Sequence, residues 1–133
     1  MSELIVLDTH LWFWYINQEF SRFPRHWQER IQTTERLGVS PVSCFEIALA
    51  EQRGRLKLPL RPAEWFGEAL TPAGIELLPL TPTIATRAVG LSPIHKDPFD
   101  RLIIATALEY GGKLASVDEL FSRYAELSGT LLS

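Results

Sequence analysis

The stretch that decides the fold is ELIVLDTH, residues 3–10. Residues 3–7 are mostly apolar, which predicts a short central strand that is covered on both faces, as in a parallel sheet. Asp8 and Thr9 follow directly, and an apolar segment with helical character, residues 10–18, comes next. Asp8 therefore lies at the junction of a buried strand and a helix, where a carboxylate needs a partner.

An acid recurs at three further junctions of this kind, and these acids are Glu46, Asp100 and Asp118. In an open parallel sheet such junctions lie along one edge, at the carboxyl ends of the strands, so all four acids are expected to meet there. Clustered carboxylates repel each other and need a cation. Hard cations such as Mg²⁺ and Mn²⁺ prefer oxygen ligands. The sequence thus predicts a divalent-metal site, able to support phosphoryl displacement between two metal ions.

Strand-like and helix-like segments alternate along the chain, which predicts a three-layer α/β/α fold with a mainly parallel sheet. The strands after the first are expected at 37–42, 74–80, 113–116 and 129–132. The helices after the first are expected at 24–36, 43–53, 62–72, 82–90, 98–110 and 119–124. Gly38 is expected to end the second helix, and Ser43 with Glu46 to form a capping box.

Size and composition favour a single domain, residues 1–133. The net charge of −3 argues against a protein that coats nucleic acid, although it leaves a nuclease with concentrated acids open. The single cysteine, Cys44, excludes a disulfide within the chain and is expected to be a buried filler. The start has no signal-peptide pattern and no apolar run approaches the roughly 20 residues of a membrane span. We therefore expect a cytoplasmic protein.

Each acid also has a purely structural interpretation. Glu46 and Asp100 fall at the third position of predicted helices, where an acid contributes about 0.3–1 kcal/mol. Asp97 and Asp118 are suitable N-caps. Asp8 is the exception, because Thr9 is expected to be better placed as the cap. The shared edge of the sheet is what favours the metal site over four separate structural roles.

Other polar residues are candidates for supporting roles. Thr9 and Ser116 can hydrogen-bond a ligand carboxylate or a phosphate, although a small residue at a strand end is an equally good interpretation. Basic residues near the acids can position a phosphodiester backbone: Arg53, Arg55, Lys57, His95, Lys96 and Arg101. A solvated helix terminus is the alternative for residues 53–57, and we weigh it more heavily. His10 and His95 lack a metal-ligand spacing and are expected to be surface or capping residues.

Four segments together resemble the sequence blocks of PIN-domain proteins, and more closely the VapC-type toxins of toxin–antitoxin pairs. They are LIVLDTH at 4–10, VSCFEIALA at 42–50, HKDPFDRLIIATA at 95–107 and LASVDELF at 114–121. The resemblance implies a PIN fold with a five-stranded parallel sheet and a Mg²⁺- or Mn²⁺-dependent endoribonuclease. Asp8, Glu46, Asp100 and Asp118 match the acidic quartet. Ser116 stands where the family often has Ser or Thr, and Asp97 belongs to the DPFDR form of the third block.

The same resemblance implies partners. VapC-type toxins are commonly homodimers, and a small antitoxin inhibits them by placing its C-terminal tail, often with an arginine, in the active site. We expect the aromatic-rich stretch 11–15 to form part of the groove for that antitoxin.

Other functions remain open from the sequence. A haloacid-type phosphatase needs a second Asp two residues after the first, and position 10 is His. A phospho-receiver domain needs an acidic pair near the first strand and a suitably placed lysine. A degenerate PIN module that only binds RNA or protein is the non-enzymatic alternative, and the complete quartet argues against it.

Overall fold

A computed structural model of the protein describes residues 3–133. Within this range four parallel strands form one sheet in the order β3-β2-β1-β4. The strands are β1 (Leu4–Leu7), β2 (Arg36–Val39), β3 (Ile75–Leu77) and β4 (Lys113–Ala115). Six α-helices connect and cover them, together with short 3₁₀ turns: α1 (Thr9–Ile16), α2 (Arg25–Thr33), α3 (Pro41–Gln52), α4 (Pro62–Ala69), α5 (Pro82–Gly90) and α6 (Pro98–Tyr110).

Strand β1 is the centre of the molecule, and all four of its residues are buried. Alternate side chains of a strand point to opposite faces. Ile5 and Leu7 therefore pack with α1, α2 and α4 on one face. Leu4 and Val6 pack with α6 and the C-terminal 3₁₀ turns on the other. The predicted three-layer α/β/α architecture and the predicted covered central strand are both confirmed.

The strand order places a topological switch point beside β1. The chain moves from β1 outward through β2 to β3, and then crosses back to pair β4 on the other side of β1. Leu7 is in register with Ala115, and the Asp8 N–H donates to the Ala115 carbonyl at 3.2 Å. The segments that leave β1 and β4 therefore start side by side, where open α/β sheets form their binding crevices.

The predicted fifth strand is reduced to an isolated bridge between Leu114 and Leu131. The Leu114 N–H donates to Thr130 O and the Leu132 N–H to Leu114 O, both at 2.9 Å. After β4 the chain forms two 3₁₀ turns, Glu119–Arg123 and Ala125–Leu127, and it then bends at Gly129, whose φ is +77°. Only the last few residues remain to pair, so the sheet of the described residues has four strands instead of five.

The second helix ends earlier than the sequence predicts, and Gly38 has a different role. Helix α2 stops at Thr33, and Gly38 lies buried inside β2. A Cβ atom at Gly38 would lie 2.7 Å from the Leu78 side chain. Glycine is therefore needed here for close packing across the sheet and not as a helix stop.

The aromatic residues of α1 divide between the core and the surface. Trp12 is fully buried, and its indole N–H donates to the Ala69 carbonyl at 3.0 Å. The prediction that Trp12 contacts an antitoxin is therefore wrong, because its ring is enclosed against Trp65 at 5.2 Å. Trp14 is only partly buried and stays available to a partner. Among the described residues no helix has the length and apolar character that crossing a bilayer requires.

Candidate active site

Asp8 lies at the end of β1 and is 8% exposed. It is the N-cap of α1, and its Oδ1 accepts the Leu11 N–H at 2.9 Å. The expectation that Thr9 would cap this helix is wrong, since Asp8 occupies the last extended position and Thr9 is already helical. The Thr9 side chain is therefore free for a different contact.

Thr9 connects the end of β1 to helix α3. Its hydroxyl donates to Glu46 Oε1 at 2.5 Å and lies 2.9 Å from the Ser43 hydroxyl. The predicted capping box of Ser43 and Glu46 is wrong, because α3 begins at Pro41 with Ser40 as its N-cap. Glu46 consequently lies in the second turn of α3, too far from the helix start to cap it. Its side chain instead contacts Thr9 at the end of β1.

Helix α6 brings in two further acids in the predicted way. Asp97 is the N-cap, with Oδ1 accepting the Phe99 N–H at 2.8 Å, and Pro98 is the first helical residue. Asp100 lies in the first turn, and its side chain is 29% exposed. Asp97 therefore caps the helix, whereas the Asp100 side chain makes no capping hydrogen bond and lies close to the other acids.

Asp118 follows β4 and caps the 3₁₀ turn Glu119–Arg123 through Oδ1, which accepts the Leu120 N–H at 2.9 Å. The Asp118 N–H donates to the Ser116 hydroxyl at 3.1 Å. Hydrogen bonding from Ser116 also lowers the pKa of Asp8. Ser116 thus contacts acids that follow both central strands.

His95 is a site residue whose contacts the sequence did not predict. Its side chain is only 7% exposed, and its Nε2 lies 2.9 Å from Asp118 Oδ2 and 4.0 Å from Asp100 Oδ2. Its Nδ1 lies 2.8 Å from the Tyr124 hydroxyl. The expectation of a surface or capping role is therefore wrong. Its place five residues before Asp100 was the available signal, but the contacts with Asp118 and Tyr124 span 23 and 29 residues.

Burial penalises the charge of three of the acids. It is the largest cause that raises the pKa values of Asp8, Glu46 and Asp100. Hydrogen bonds from Ser116 and the Leu11 N–H oppose the rise at Asp8. The Thr9 hydroxyl opposes the rise at Glu46 and His95 opposes it at Asp100. The neighbours of each acid therefore offset only part of the rise in its pKa, and a positive charge nearby would offset more of it.

Mutual repulsion joins the four acids into one electrostatic group. Asp118 raises the pKa of Asp8, and Asp100 raises the pKa of Glu46. Asp97, Asp118 and Asp8 all raise the pKa of Asp100, and Asp97 also raises the pKa of Glu46. The structure therefore brings together the four acids that the sequence selected, from four different junctions.

The donor atoms fit a divalent cation. One carboxylate oxygen of Asp100 and one of Asp118 lie within 4.8 Å of each other, and the Nε2 of His95 lies within the same distance of both oxygens. Asp8, which repels both carboxylates, adds a further hard oxygen donor. A cation would offset the burial and the repulsion that raise these pKa values, and hard cations favour oxygen ligands.

A cavity of about 420 Å³ opens beside the acids. Its lining includes Thr9, Glu46 and Asp97, together with the predicted RNA-positioning residues Arg53 and Arg55. Both arginines are exposed and follow the end of α3. Lys57 and Lys96 are also exposed but do not line this cavity.

Arg101 has a structural role that contradicts its predicted contact with RNA. Its guanidinium donates to five backbone carbonyls at 2.7–3.3 Å, which employs all five of its N–H groups. The acceptors belong to the end of α5 and the following loop: Ala88, Val89, Leu91, Ser92 and His95. Arg101 therefore fixes the loop that carries His95, and no N–H remains for a phosphate.

Comparison with known proteins agrees with this geometry. Ribonuclease VapC22 of Mycobacterium tuberculosis is 31% identical over 115 residues, which cover 86% of this chain and 86% of that protein. Two solved structures share the fold. VapBC2 from Rickettsia felis, bound to a DNA fragment from its promoter, has a TM-score of 0.67 at 12% identity and covers 92% of this chain and 94% of its own. A toxin–antitoxin complex from Klebsiella pneumoniae has a TM-score of 0.60 at 16% identity, covering 97% and 96%.

The family model of the PIN domain matches residues 5–127, which contain all four acids and His95. The match spans nearly the whole of the chain, and the strand order and the acidic edge described above lie within it. The chain therefore belongs to the PIN-domain family.

Proposed function

We propose that this protein is a metal-dependent endoribonuclease that cleaves RNA phosphodiester bonds as the toxin of a toxin–antitoxin pair. The observation that carries the proposal is the convergence of Asp8, Glu46, Asp100 and Asp118 on one sheet edge, where each acid is electrostatically coupled to another. The similarity to a ribonuclease at 31% identity supports the choice of RNA. The toxin acts in the cytoplasm, where its RNA substrates lie.

The acidic residues hold the cation, which is Mg²⁺ or Mn²⁺ because the ligands are carboxylate oxygens. When bound, the cation supplies Lewis-acid activation of the phosphodiester and neutralises charge that develops during displacement. Thr9 orients Glu46 by its hydroxyl, and the Ser116 hydroxyl hydrogen-bonds both Asp8 and the Asp118 N–H. These residues keep the ligand geometry fixed before substrate arrives, which reduces the reorganisation that the reaction requires.

The RNA backbone lies in the cavity beside Glu46 and contacts Arg53 and Arg55. Both arginines line that cavity, and guanidinium groups bind phosphate oxygens in a bidentate manner. Lys57 and Lys96, which are exposed outside the lining, extend the contact along the strand. Contacts of this kind position the backbone without reading its sequence, so the choice of RNA depends on shape and single-stranded loops.

The protein assembles with a small antitoxin and forms homodimers. The Klebsiella pneumoniae structure, which shares this fold, is a toxin–antitoxin complex, and VapBC2 from Rickettsia felis shares the fold as well. Trp14 is a candidate contact, because it is partly exposed beside His10 and under the Arg22 guanidinium. Light scattering coupled to size exclusion gives the oligomeric state. A monomer at working concentration would contradict the homodimer without affecting the nuclease.

The direct test is cleavage of total cellular RNA by antitoxin-free protein with Mg²⁺ or Mn²⁺, followed by sequencing of the new ends. Parallel reactions contain EDTA, or contain Asp8→Asn in place of the wild type. We expect discrete cuts that need the metal and disappear in both controls. No cuts from folded, metal-loaded protein would refute the nuclease and favour a PIN module that only binds RNA or protein.

A further inference from the structure

A buried hydrogen-bond chain runs from Tyr124 through His95 to Asp118. Tyr124 is 2% exposed, and its hydroxyl accepts the backbone N–H of His95 at 2.9 Å. The same hydroxyl lies 2.8 Å from His95 Nδ1, and Nε2 on the far side of the ring lies 2.9 Å from Asp118 Oδ2. These hydrogen bonds therefore connect the core residue Tyr124 to Asp118, one of the four acids.

The donors and acceptors in these hydrogen bonds can be assigned, because the buried Tyr124 hydroxyl needs an acceptor for its proton. Both hydrogen bonds of the Tyr124 hydroxyl within the described residues are made to His95. One of these partners is an N–H donor, so Nδ1 is the atom that can accept the phenol proton. An imidazole that accepts at Nδ1 carries its proton on Nε2. Nε2–H consequently donates to the Asp118 carboxylate.

The imidazole ring is braced on several sides. Tyr124 stacks against it with an interplanar angle of 11°, and Phe121 meets it edge-on at 5.0 Å. Arg101 binds the His95 carbonyl and the Ser92 carbonyl, and the Ser92 N–H and hydroxyl bind Glu126. A ring held this firmly can fix the direction of the carboxylate that it contacts.

We propose that His95 is a positioning residue that orients Asp118 toward the cation through Nε2–H, and that Tyr124 sets this tautomer. The inference rests on the proposed metal-dependent nuclease. Asp118 Oδ1 accepts the Leu120 N–H and Oδ2 accepts His95 Nε2–H. Each oxygen keeps lone-pair capacity for a cation. His95 therefore lies behind the ligands and is not itself a ligand, although its Nε2 is close enough to be mistaken for one.

Nitrogen NMR of ¹⁵N-histidine-labelled full-length protein tests this assignment without any activity measurement. The signals of His95 are identified by their loss in His95→Gln, with and without Mg²⁺ at pH 8. We expect Nε2 to carry a proton under both conditions. An unprotonated Nε2 in the metal-free protein, or one that loses its proton when Mg²⁺ binds, would overturn the proposal and make His95 a ligand.

Two matched variants test the positioning role. Glutamine places its amide nitrogen where Nε2 lies, so His95→Gln keeps the donor to Asp118. Asparagine places its amide near Nδ1, so His95→Asn keeps a polar group at Tyr124 and loses the donor. By calorimetry we expect His95→Asn to weaken Mg²⁺ binding by about 10–100-fold, and His95→Gln to restore most of it. Equal weakening in both variants would overturn the proposal.

The cleavage assay supplies the remaining readout. His95→Asn should lower kcat by about 10–100-fold with little change in KM, and Tyr124→Phe should fall between it and the wild type. A rise in KM with unchanged kcat would make His95 a substrate contact and overturn the positioning role. The proposed nuclease itself fails only if wild-type protein does not cut RNA, whereas the NMR and calorimetric results judge His95 alone.

Discussion

The two halves of the site hold their carboxylates in different ways. At the end of β1, Asp8 and Glu46 contact hydroxyl and amide donors, and burial is the main cause of their raised pKa values. At the end of β4, Asp118 is 37% exposed and hydrogen-bonded to the imidazole of His95. In the β1 half, burial makes a bound cation favourable because it would offset the cost of the ionised acids. In the β4 half, the hydrogen bond from His95 fixes the orientation of the Asp118 carboxylate.

The two acids differ in exposure because β1 is an inner strand of the sheet and β4 is an edge strand. β1 is central, with all residues buried and helices on both faces, so an acid at its end lies inside the protein. β4 has β1 on one side and only the Leu131 bridge on the other. Asp118, which follows β4, is more exposed to solvent than Asp8. Its carboxylate is instead held in place by the hydrogen bond to His95, which Tyr124 contacts in turn.

The largest expected effect comes from Asp8→Asn, with Asp97→Asn as its matched control. Both residues cap helices through Oδ1, and asparagine caps about as well as aspartate. Asp8→Asn removes a charge at the metal, worth several kcal/mol, so cleavage should fall by about 100-fold or more. Asp97→Asn should stay within about threefold, a difference of under 1 kcal/mol. Comparable losses of cleavage in the two variants would contradict the assignment of Asp8 as a metal ligand and of Asp97 as a helix cap only.

The second effect is stabilisation of the folded protein by Mg²⁺. The raised pKa values of Asp8, Glu46 and Asp100 mean that the fold favours their protonated forms. This proton-linked stability is fully present below the ordinary values of 3.8 and 4.5, and it is lost as pH rises through the folded-state pKa values. The metal-free protein is therefore less stabilised by these groups at pH 7.5 than at low pH.

Scanning calorimetry measures this effect directly. At pH 7.5, Mg²⁺ at 100 times its Kd should add about 2.7 kcal/mol, and the gain should shrink at pH 4.5 because protons compete for the ligands. Metal-free Asp8→Asn should be at least as stable as wild type at pH 7.5. An equal Mg²⁺ gain at both pH values, or in Asp8→Asn, would show that the cation binds elsewhere.

The four acids of both halves were predictable from sequence, whereas the residues that hold them in place were not. Asp8, Glu46, Asp100 and Asp118 could be chosen because a strand-to-helix junction is a local pattern, and topology then brings those junctions together. The capping details of Thr9 and Ser43 failed, because a shift of helix start by one residue or more changes which side chain caps. Local propensity fixes such boundaries only loosely.

His95 and Arg101 were misjudged for a different reason. His95 contacts Asp118 and Tyr124, which lie 23 and 29 residues away, and those contacts depend on how the C-terminal 3₁₀ turns pack. Arg101 follows the site acid Asp100 by one position, yet its guanidinium turns to the backbone of the loop behind the site. Side-chain direction on neighbouring helix positions differs by about 100°, from 3.6 residues per turn, so adjacency in sequence did not imply adjacency in the site.

A smaller effect is expected from Thr9→Val, compared with Ser43→Ala. Valine removes the hydroxyl that donates to Glu46, which should cost about tenfold in kcat, near 1.4 kcal/mol. Because that hydrogen bond lowers the pKa of Glu46, its loss should move the acid limb of the pH–rate profile to higher pH. Ser43→Ala keeps the bond from Thr9 to Glu46 and should leave the limb in place. A shift of similar size in Ser43→Ala would show that core packing, and not this donor, controls Glu46.

The smallest effect tests the substrate side of the β1 half, where Arg53 and Arg55 line the cavity. Replacing both by glutamine should raise KM several-fold, leave kcat nearly unchanged, and reduce the salt dependence of RNA binding by about 1.4, or 0.7 for each single-strand phosphate contact. The exposed pair Arg25 and Arg61, outside the cavity lining, is the matched control for net charge. Arg101→Gln should lower Tm without changing that salt slope, because its guanidinium binds only backbone carbonyls in the described structure. Equal loss of salt dependence in the Arg25 and Arg61 control would assign RNA binding to overall charge and remove the cavity as its path.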